Sequence, residues 1–391
     1  MRLPPDAHIC FICPYIEPYL KPGSGTHVGG AERQQHLLAK ALRERGRDVS
    51  FITFEGDDER YEQIDGFDCW KTLPPTNDVR RAPTVLWRLL RSIRRVDADV
   101  FYVRGNPPLG ILSSYCCSLL GERLVYVVAN DSNVELSRLS KHHGMFEHTL
   151  PKLGYLDAMR RAERVVAQTD HQQAILRDVL GIESTVIPNG YTVPEETELR
   201  PAKERSHALW VGSLDPDQKR PERVLELADR LPDVTFRVIG STIDESYRDR
   251  FVERASSRPN LLFEGFVPPD EIDRYYRDAV VLFNTSEYEG FPNTFLEAWR
   301  FGVPVASLNE VLDGVLEREE VGIHAGSMDE LERVIAALWN DRDRTDRLGS
   351  AGRRYLEDNY ALDAVVSEYA AVFADVMDVD ETRVSVEATR D

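Results

Sequence analysis

The feature that most constrains this 391-residue chain is a rhythm that runs through it twice. Short apolar runs rich in Val, Ile, Phe and Tyr alternate with longer stretches of helical character, the pattern of parallel α/β architecture. In the first half, strands are expected at 8–13, 48–53, 100–104, 123–128, 164–168 and 184–188. The second half restarts the pattern, with strands expected at 208–212, 235–240, 260–264, 280–284 and 304–307. Between them, residues 191–206 are polar and punctuated by proline, with little to bury, and read as a hinge. The expected organisation is therefore a Rossmann-like domain at 1–192, a linker at 193–206, a second Rossmann-like domain at 207–377 and a polar, frayed tail at 378–391. Open sheets of this kind bind ligands at the carboxyl ends of their strands, so two of them facing one another would form a binding cleft.

Several function classes fall away on composition. No stretch approaches the length of apolar sequence needed to span a bilayer. The net charge of −19 argues against general affinity for nucleic acid. All five cysteines lie in the first third, and Cys10 and Cys13 fall inside an apolar run that reads as a buried strand, not a redox or metal pair. Free thiols point to a reducing compartment, so the expected location is cytoplasmic. A peripheral contact at the inner membrane face is left open by residues 84–95. There Leu86, Leu89, Leu90 and Ile93 share one helical face, Arg88, Arg91, Arg94 and Arg95 crowd another, and Trp87 is a possible interfacial anchor. The alternative for that segment is an ordinary helix packed on its sheet with a solvated basic face. His142, His143 and His148 lie in a polar stretch without matching ligand spacing and are not read as metal ligands.

The segment richest in chemistry runs from Ser286 to Ala298. A strand, a turn containing Gly290 and Pro292, and a helix beginning near Asn293 place backbone amides and the positive end of a helix dipole at the sheet's mouth, a seat for phosphates. Glu289 stands in the turn and Glu297 eight residues on, within the helix. Carboxylates so spaced can meet different parts of one extended ligand, and vicinal hydroxyls of sugars and riboses are their natural partners. Taken alone, both could equally be solvated acids at a helix start.

At these residues the sequence resembles the family 4 retaining glycosyltransferases of GT-B fold, whose mark is a glutamate pair with seven residues between, set in a phrase that reads here Glu289-Gly290-Phe291-Pro292, Leu296-Glu297-Ala298 and Gly302-Val303-Pro304-Val305. Further similar phrases follow in order: Gly29-Gly30-Ala31-Glu32-Arg33, Ala167-Gln168-Thr169-Asp170, Val186-Ile187-Pro188-Asn189-Gly190, Trp210-Val211-Gly212-Ser213-Leu214 with Lys219-Arg220, and Gly265-Phe266-Val267. The resemblance implies that the first domain binds an acceptor and the second a nucleotide-sugar donor. It implies that Glu289 holds hydroxyls of the transferred sugar, Glu297 those of the ribose, and Lys219 the departing diphosphate. Gly29 and Gly30 would let backbone approach the donor, Gly290, Phe291, Pro292, Asn293 and Thr294 would offer backbone donors, and Phe266 and Val267 would line the base. With no Asp-x-Asp tract in a suitable loop, neither metal nor cofactor is expected.

The chain departs from the family at three places. Ser213 stands where an arginine is usual, with Arg220 the candidate replacement; Asn130 stands near where many relatives carry a histidine; and Arg104 occupies a variable position that suits either an acceptor contact or a core-edge ion pair. The implied activity is transfer of a hexose-type sugar, with retention, to a glycan, glycolipid or polysaccharide. A nucleotide-sugar epimerase or hydrolase, or a degenerate nucleotide-sugar-binding protein, would use the same scaffold.

Overall fold

The computed structural model describes residues 3–21, 29–55, 61–74, 82–135, 149–242, 244–309 and 312–387. The chain divides into two compact units, one formed by Met1–Lys21, Gly29–Gly190 and Leu362–Asp391, the other mainly by Tyr191–Ala361.

The first unit carries eight strands: β1 (His8–Ile12), β2 (Asp48–Phe54), β3 (Tyr61–Ile64), β4 (Phe67–Leu73), β5 (Val100–Arg104), β6 (Leu124–Val127), β7 (Arg164–Ala167) and β8 (Thr185–Val186). Their order across the sheet is β3-β4-β2-β1-β5-β6-β7-β8. Every pairing is parallel except β3 with β4, a hairpin turned by Asp65 and Gly66. Both turn residues have positive φ, 49° and 75°, the conformation that Asp-Gly pairs supply to tight hairpins. Apolar clusters cover both faces of the sheet. All five thiols are free and buried, and burial pushes the Cys10 thiol up to about 12, which leaves it an inert core residue.

The second unit is a parallel sheet of six strands: β9 (His207–Val211), β10 (Phe236–Ile239), β11 (Leu261–Gly265), β12 (Ala279–Asn284), β13 (Val305–Ser307) and β14 (Gly322–His324), in the order β11-β10-β9-β12-β13-β14. The direction of winding reverses between β9 and β12, and in such sheets the crevice outside the strand ends at that reversal is where ligands bind. The same reversal in the first sheet falls between β1 and β5.

Each of the eleven expected strands is present; β3, β4 and β14 are additions. The division of the chain needs two corrections. The helix Leu362–Glu387, expected to close the second domain and fray after 377, belongs to the first unit and is helical through residue 387. Val365, Val366, Tyr369 and Phe373 enter the first unit's core, where Tyr369 and Phe373 stand edge-on to Tyr102. The proline-punctuated segment 193–206 is not a loose linker. Arg353 grips the Pro194 carbonyl at 2.6 Å, Arg300 that of Thr192 at 2.7 Å, and the buried Arg205 guanidinium those of Gly302 and Phe301 at 2.8 and 3.1 Å. The chain passes between units at 190/191 and 361/362 instead, where Tyr191 pairs with Ala361 on the second unit's side.

At the start of β9, His207 is buried, its Nε2 lying 3.0 Å from the Tyr275 carbonyl and its Nδ1 3.1 Å from Ser206 Oγ. Burial, with Arg237 nearby, holds its pKa down to about 4. An unfolded chain takes up a proton near pH 6.5 that the folded one refuses, so this residue's contribution to stability is intact above 6.5 and lost as pH falls toward 4. The loss corresponds to about 3 kcal/mol. His207→Leu is expected to flatten the fall in melting temperature between pH 6.5 and 4, and an unchanged slope would show that the ring protonates within the fold.

Candidate active site

The ends of β9 and β12, either side of the reversal in the second sheet, carry the two loops that hold most of the expected donor residues. After β9 the backbone must pass close to β10: a Cβ on Gly240 would lie 1.9 Å from the Gly212 carbonyl oxygen, so only glycine fits there. The chain then makes a tight turn over Asp215, whose carboxylate accepts the amides of Asp217 and Gln218 at 2.8 and 3.0 Å. The carbonyl of Asp215 accepts those of Lys219 and Arg220, each at 3.0 Å. Arg220 completes the turn at φ 53°, a left-handed conformation that explains why a glycine suits this position.

Three hydrogen bonds stitch this turn to the loop after β12. The Glu287 amide donates to the Gln218 carbonyl at 2.8 Å, Gln218 Nε2 to the Tyr288 carbonyl at 3.2 Å, and Thr285 Oγ1 to the Lys219 carbonyl at 2.8 Å. The indole of the buried Trp210 donates to Thr285 Oγ1 at 2.9 Å and fixes that clasp to β9. Lys219 is thereby delivered to Glu289. Its Nζ lies 2.6 and 2.7 Å from the two carboxylate oxygens, with the lysine side chain 21% and the glutamate 8% exposed. Ser286 Oγ and Asn284 Nδ2 donate to the same carboxylate at 2.7 and 3.2 Å. Lys219 is thus committed to Glu289, while the Asp215 carboxylate beside it in sequence serves the backbone of its own turn.

Glu297 sits in the helix Asn293–Arg300, buried, in a different setting. Its Oε1 accepts from Tyr191 at 2.8 Å and its Oε2 from Tyr276. Before it, the amides of Asn293 and Phe295 are taken by the carbonyls of Phe291 and Pro292, each at 2.9 Å. The Thr294 amide has no backbone partner among the described residues. Phe291 is buried edge-on against Tyr360, anchoring the Gly290–Pro292 stretch from below. Arg220 and Arg223 both reach Glu287 Oε1, at 3.1 and 2.6 Å. Val267 is buried and Phe266 half-buried in the loop that follows β11.

The remaining expected residues lie in the first unit. Gly29 caps the helix Gly30–Glu44, and its carbonyl accepts from Tyr19 at 2.9 Å. A Cβ there would strike the Glu32 carboxylate at 2.2 Å. Arg104 ends β5 in a buried polar cluster, donating to Gln168 Oε1 at 2.8 Å and to Asn189 Oδ1. Asn130 follows β6 and spends its side-chain oxygen on the Ser132 amide at 3.0 Å, capping the turn Asp131–Asn133. His142, His143 and His148 lie outside the described residues. One set of groups has metal-ligand proximity: atoms of Asp131, Glu135 and His171 all lie within 4.8 Å of one another. Asp131 there already accepts from Gln172 Nε2 at 3.0 Å.

Sequence reasoning missed the partners that orient the two glutamates, namely Asn284 and Ser286 for Glu289, and Tyr191 and Tyr276 for Glu297. Ser286 and Asn284 were legible as polar residues at the end of an apolar strand. The tyrosines come from distant segments, and no spacing rule connects them to the motif.

Two Rossmann-like α/β units, each with a reversal of strand order, make up a GT-B-type scaffold. Residues 28–193 match Glycosyltransferase Family 4 and residues 195–355 match Glycosyl transferases group 1. The chain belongs to this glycosyltransferase family. It is 20% identical over 360 residues to an uncharacterized glycosyltransferase of Haemophilus influenzae, covering 88% of this chain and 96% of that one. It is 26% identical over 296 residues to a 2-deoxystreptamine glucosyltransferase of Streptomyces kanamyceticus, covering 69% and 75%. Among solved structures it is similar to sucrose-phosphate synthase from Thermosynechococcus elongatus, with a TM-score of 0.78, 16% identity and coverage of 95% and 100%. A similar likeness holds for the Anabaena protein HepE in complex with UDP and glucose, with a TM-score of 0.72, 16% identity and coverage of 94% and 99%.

The Lys219–Glu289 pair is expected to be energetically coupled as well as close. Separate Lys219→Ala and Glu289→Ala substitutions each leave an unpaired, mostly buried charge, whereas the double variant leaves none. In a double-mutant cycle read by chemical denaturation, the coupling should be about 1–2 kcal/mol, and strict additivity would show that the pair does not form in solution.

Proposed function

We propose that the protein transfers a hexose-type sugar from a nucleotide diphosphate donor to a glycan, glycolipid or polysaccharide acceptor, with retention of configuration and without a metal ion. The observation that carries this reading is the Lys219–Glu289 pair, held at the reversal of the second sheet beside the start of the helix Asn293–Arg300. It is supported by the glucosyltransferase among the relatives and by the HepE structure holding UDP and glucose.

In this reading Glu289, already fixed by Ser286 and Asn284, accepts hydroxyl protons of the transferred sugar through its remaining lone pairs. The third proton of the Lys219 ammonium faces the donor diphosphate and offsets the charge that grows on it as the bond to the sugar breaks. Glu297 takes the ribose hydroxyls, Phe266 and Val267 the base, and the Thr294 amide a phosphate or sugar oxygen, with Gly290, Phe291, Pro292 and Asn293 shaping that turn. Ser213 adds a hydroxyl where a cation is usual, and Arg220 strengthens the local positive field from its place on Glu287. In the first unit, Gly29 and Gly30 offer close backbone approach, Asn130 supplies a hydrogen bond near the reacting sugar in place of the usual histidine, and Arg104 serves the acceptor. The bond from the anomeric carbon to the phosphate oxygen breaks as the acceptor oxygen bonds on the same face, and the acceptor's proton passes to the departing phosphate. No carboxylate is assigned as a nucleophile.

Glu289→Gln keeps the hydrogen-bonding shape and removes the charge. It should lower kcat/KM by at least a hundredfold in protein that remains folded, with a lower melting temperature because Lys219 loses its counter-charge, and near-normal transfer would reject the assigned role. Lys219→Ala should cost about 2–4 kcal/mol in kcat/KM, and a loss below tenfold would pass the diphosphate duty to Arg220.

Donor consumption with and without acceptor separates the transferase from its alternatives. Turnover is expected only with acceptor, from whichever UDP-, GDP-, ADP- or dTDP-sugar raises the melting temperature, and a chelator should leave the rate unchanged. Acceptor-independent turnover would indicate an epimerase or hydrolase, binding without turnover a degenerate relative, and a large chelator effect a metal requirement.

A further inference from the structure

A groove lies near the edge of the first sheet, lined by residues of β3, β4 and the segment 84–95 together with Glu55. On β4 the side chains alternate, with Phe67 and Cys69 in one core while Trp70 and Thr72 turn to the opposite face. The helix Ala82–Val96 packs on that face through Leu89, Ser92, Ile93 and Val96, as the ordinary-helix alternative for this segment required. Thr72 and Ser92 hydroxyls meet at 2.6 Å and hold helix to strand. The short strand β3, four residues long, forms the edge of the sheet beside β4. The groove is lined by the rings of Tyr61, Trp70 and Trp87 and by Arg88, Arg91 and Arg95.

The chemistry of this lining is specific. Tyr61 and Trp70 rings stand 5.0 Å apart, and Trp87 is 58% exposed, an unusual cost for an indole with no apparent packing duty. Arg95 lies 5.2 Å over Trp70 and Arg91 5.6 Å over Trp87, so both guanidinium groups are held at ring faces. Arg88 pairs with Glu55, but Arg91 and Arg95 have no carboxylate partner among the described residues. In a chain of net charge −19, the described lining carries three arginines against one carboxylate, Glu55, beside three aromatic rings, a local positive exception.

We propose that this groove binds an anionic glycan, an oligosaccharide carrying carboxylate groups. The apolar faces of sugar rings pack on the indoles, and the carboxylates are met by the planar forks of Arg91 and Arg95. The positive charge complements an acidic ligand. The concave, hydroxyl-bearing lining fits a narrow chain better than a flat bilayer, which would need a convex apolar face. Strand β4 lies four strand spacings from β6, roughly 19 Å from the strand that leads to Asn130, so one sugar ring cannot occupy both places. The proposal concerns binding alone and stands or falls apart from sugar transfer.

The test is titration of the full chain at low salt with tetragalacturonate, followed by tryptophan fluorescence and calorimetry, with maltotetraose as the uncharged control. Binding of the acidic ligand at least tenfold tighter than the neutral one is expected. An Arg91→Ala and Arg95→Ala double variant should weaken it at least tenfold and Trp87→Ala at least threefold, with unchanged thermal melts because these side chains are exposed. Absence of binding at millimolar ligand, equal binding of both sugars, or no effect of the double variant would overturn the proposal. So would co-sedimentation with phosphatidylglycerol vesicles by a protein that ignores the oligosaccharide, an outcome that assigns the surface to a membrane.

Discussion

Lys219 and Glu289 stand 70 residues apart in sequence and 2.6 Å apart in space, and much of the second unit's strand-end architecture serves to keep them so. Bringing an ammonium and a carboxylate largely out of water costs more than their attraction returns unless further hydrogen bonds complete the carboxylate. Asn284 and Ser286 do that from the end of β12, and the Trp210–Thr285 clasp fixes the turn that presents the lysine. An arrangement this heavily supported is preorganised: a ligand meets charges already in place and need not spend binding energy on assembling them.

A paired lysine has little reach at a distance, because the carboxylate cancels its field beyond a few ångströms. Any pull on an anion would then come from the neighbourhood as a whole. Arg220 and Arg223 share Glu287, and Lys219 is paired with Glu289, while the Asp215 carboxylate of the same turn is spent on backbone amides. What distinguishes this edge of the sheet is thus the ordering of its charges, not an excess of positive ones. With a serine at position 213, the cations here are those of the turn and helix that follow.

The strands of both sheets were legible because parallel strands buried on both faces read as continuous apolar runs. Where that signal weakened, reading failed. Strand β4 alternates buried and half-buried residues beside a masking run of polar ones, and its partner β3 has a single buried residue; the Asp65-Gly66 turn was the signal available. The segment 193–206 looked loose because its prolines and charges bury little of themselves, yet Arg353 holds its Pro194 carbonyl and its own Arg205 reaches the carbonyls of Gly302 and Phe301, long-range pairings that local composition cannot show. The last helix was recognised as a helix, but its attachment was not. Val365, Val366, Tyr369 and Phe373 would serve either core, and only the tertiary structure shows that they complete the first. In the site, the glutamate motif and Lys219 were readable from spacing and resemblance. The tyrosines that hold Glu297 were not, since they reach it from 106 and 21 residues away.

Those tyrosines explain why one motif needs two glutamates and not two interchangeable acids. Glu289 shares its charge with a cation, so a hydroxyl bound there feels an environment that can follow charge developing on a nearby phosphate. Glu297 accepts from two phenols, donors strong enough to orient a carboxylate. The two glutamates therefore differ in their surroundings, a lysine beside one and phenols beside the other, a difference that the sequence spacing alone did not contain.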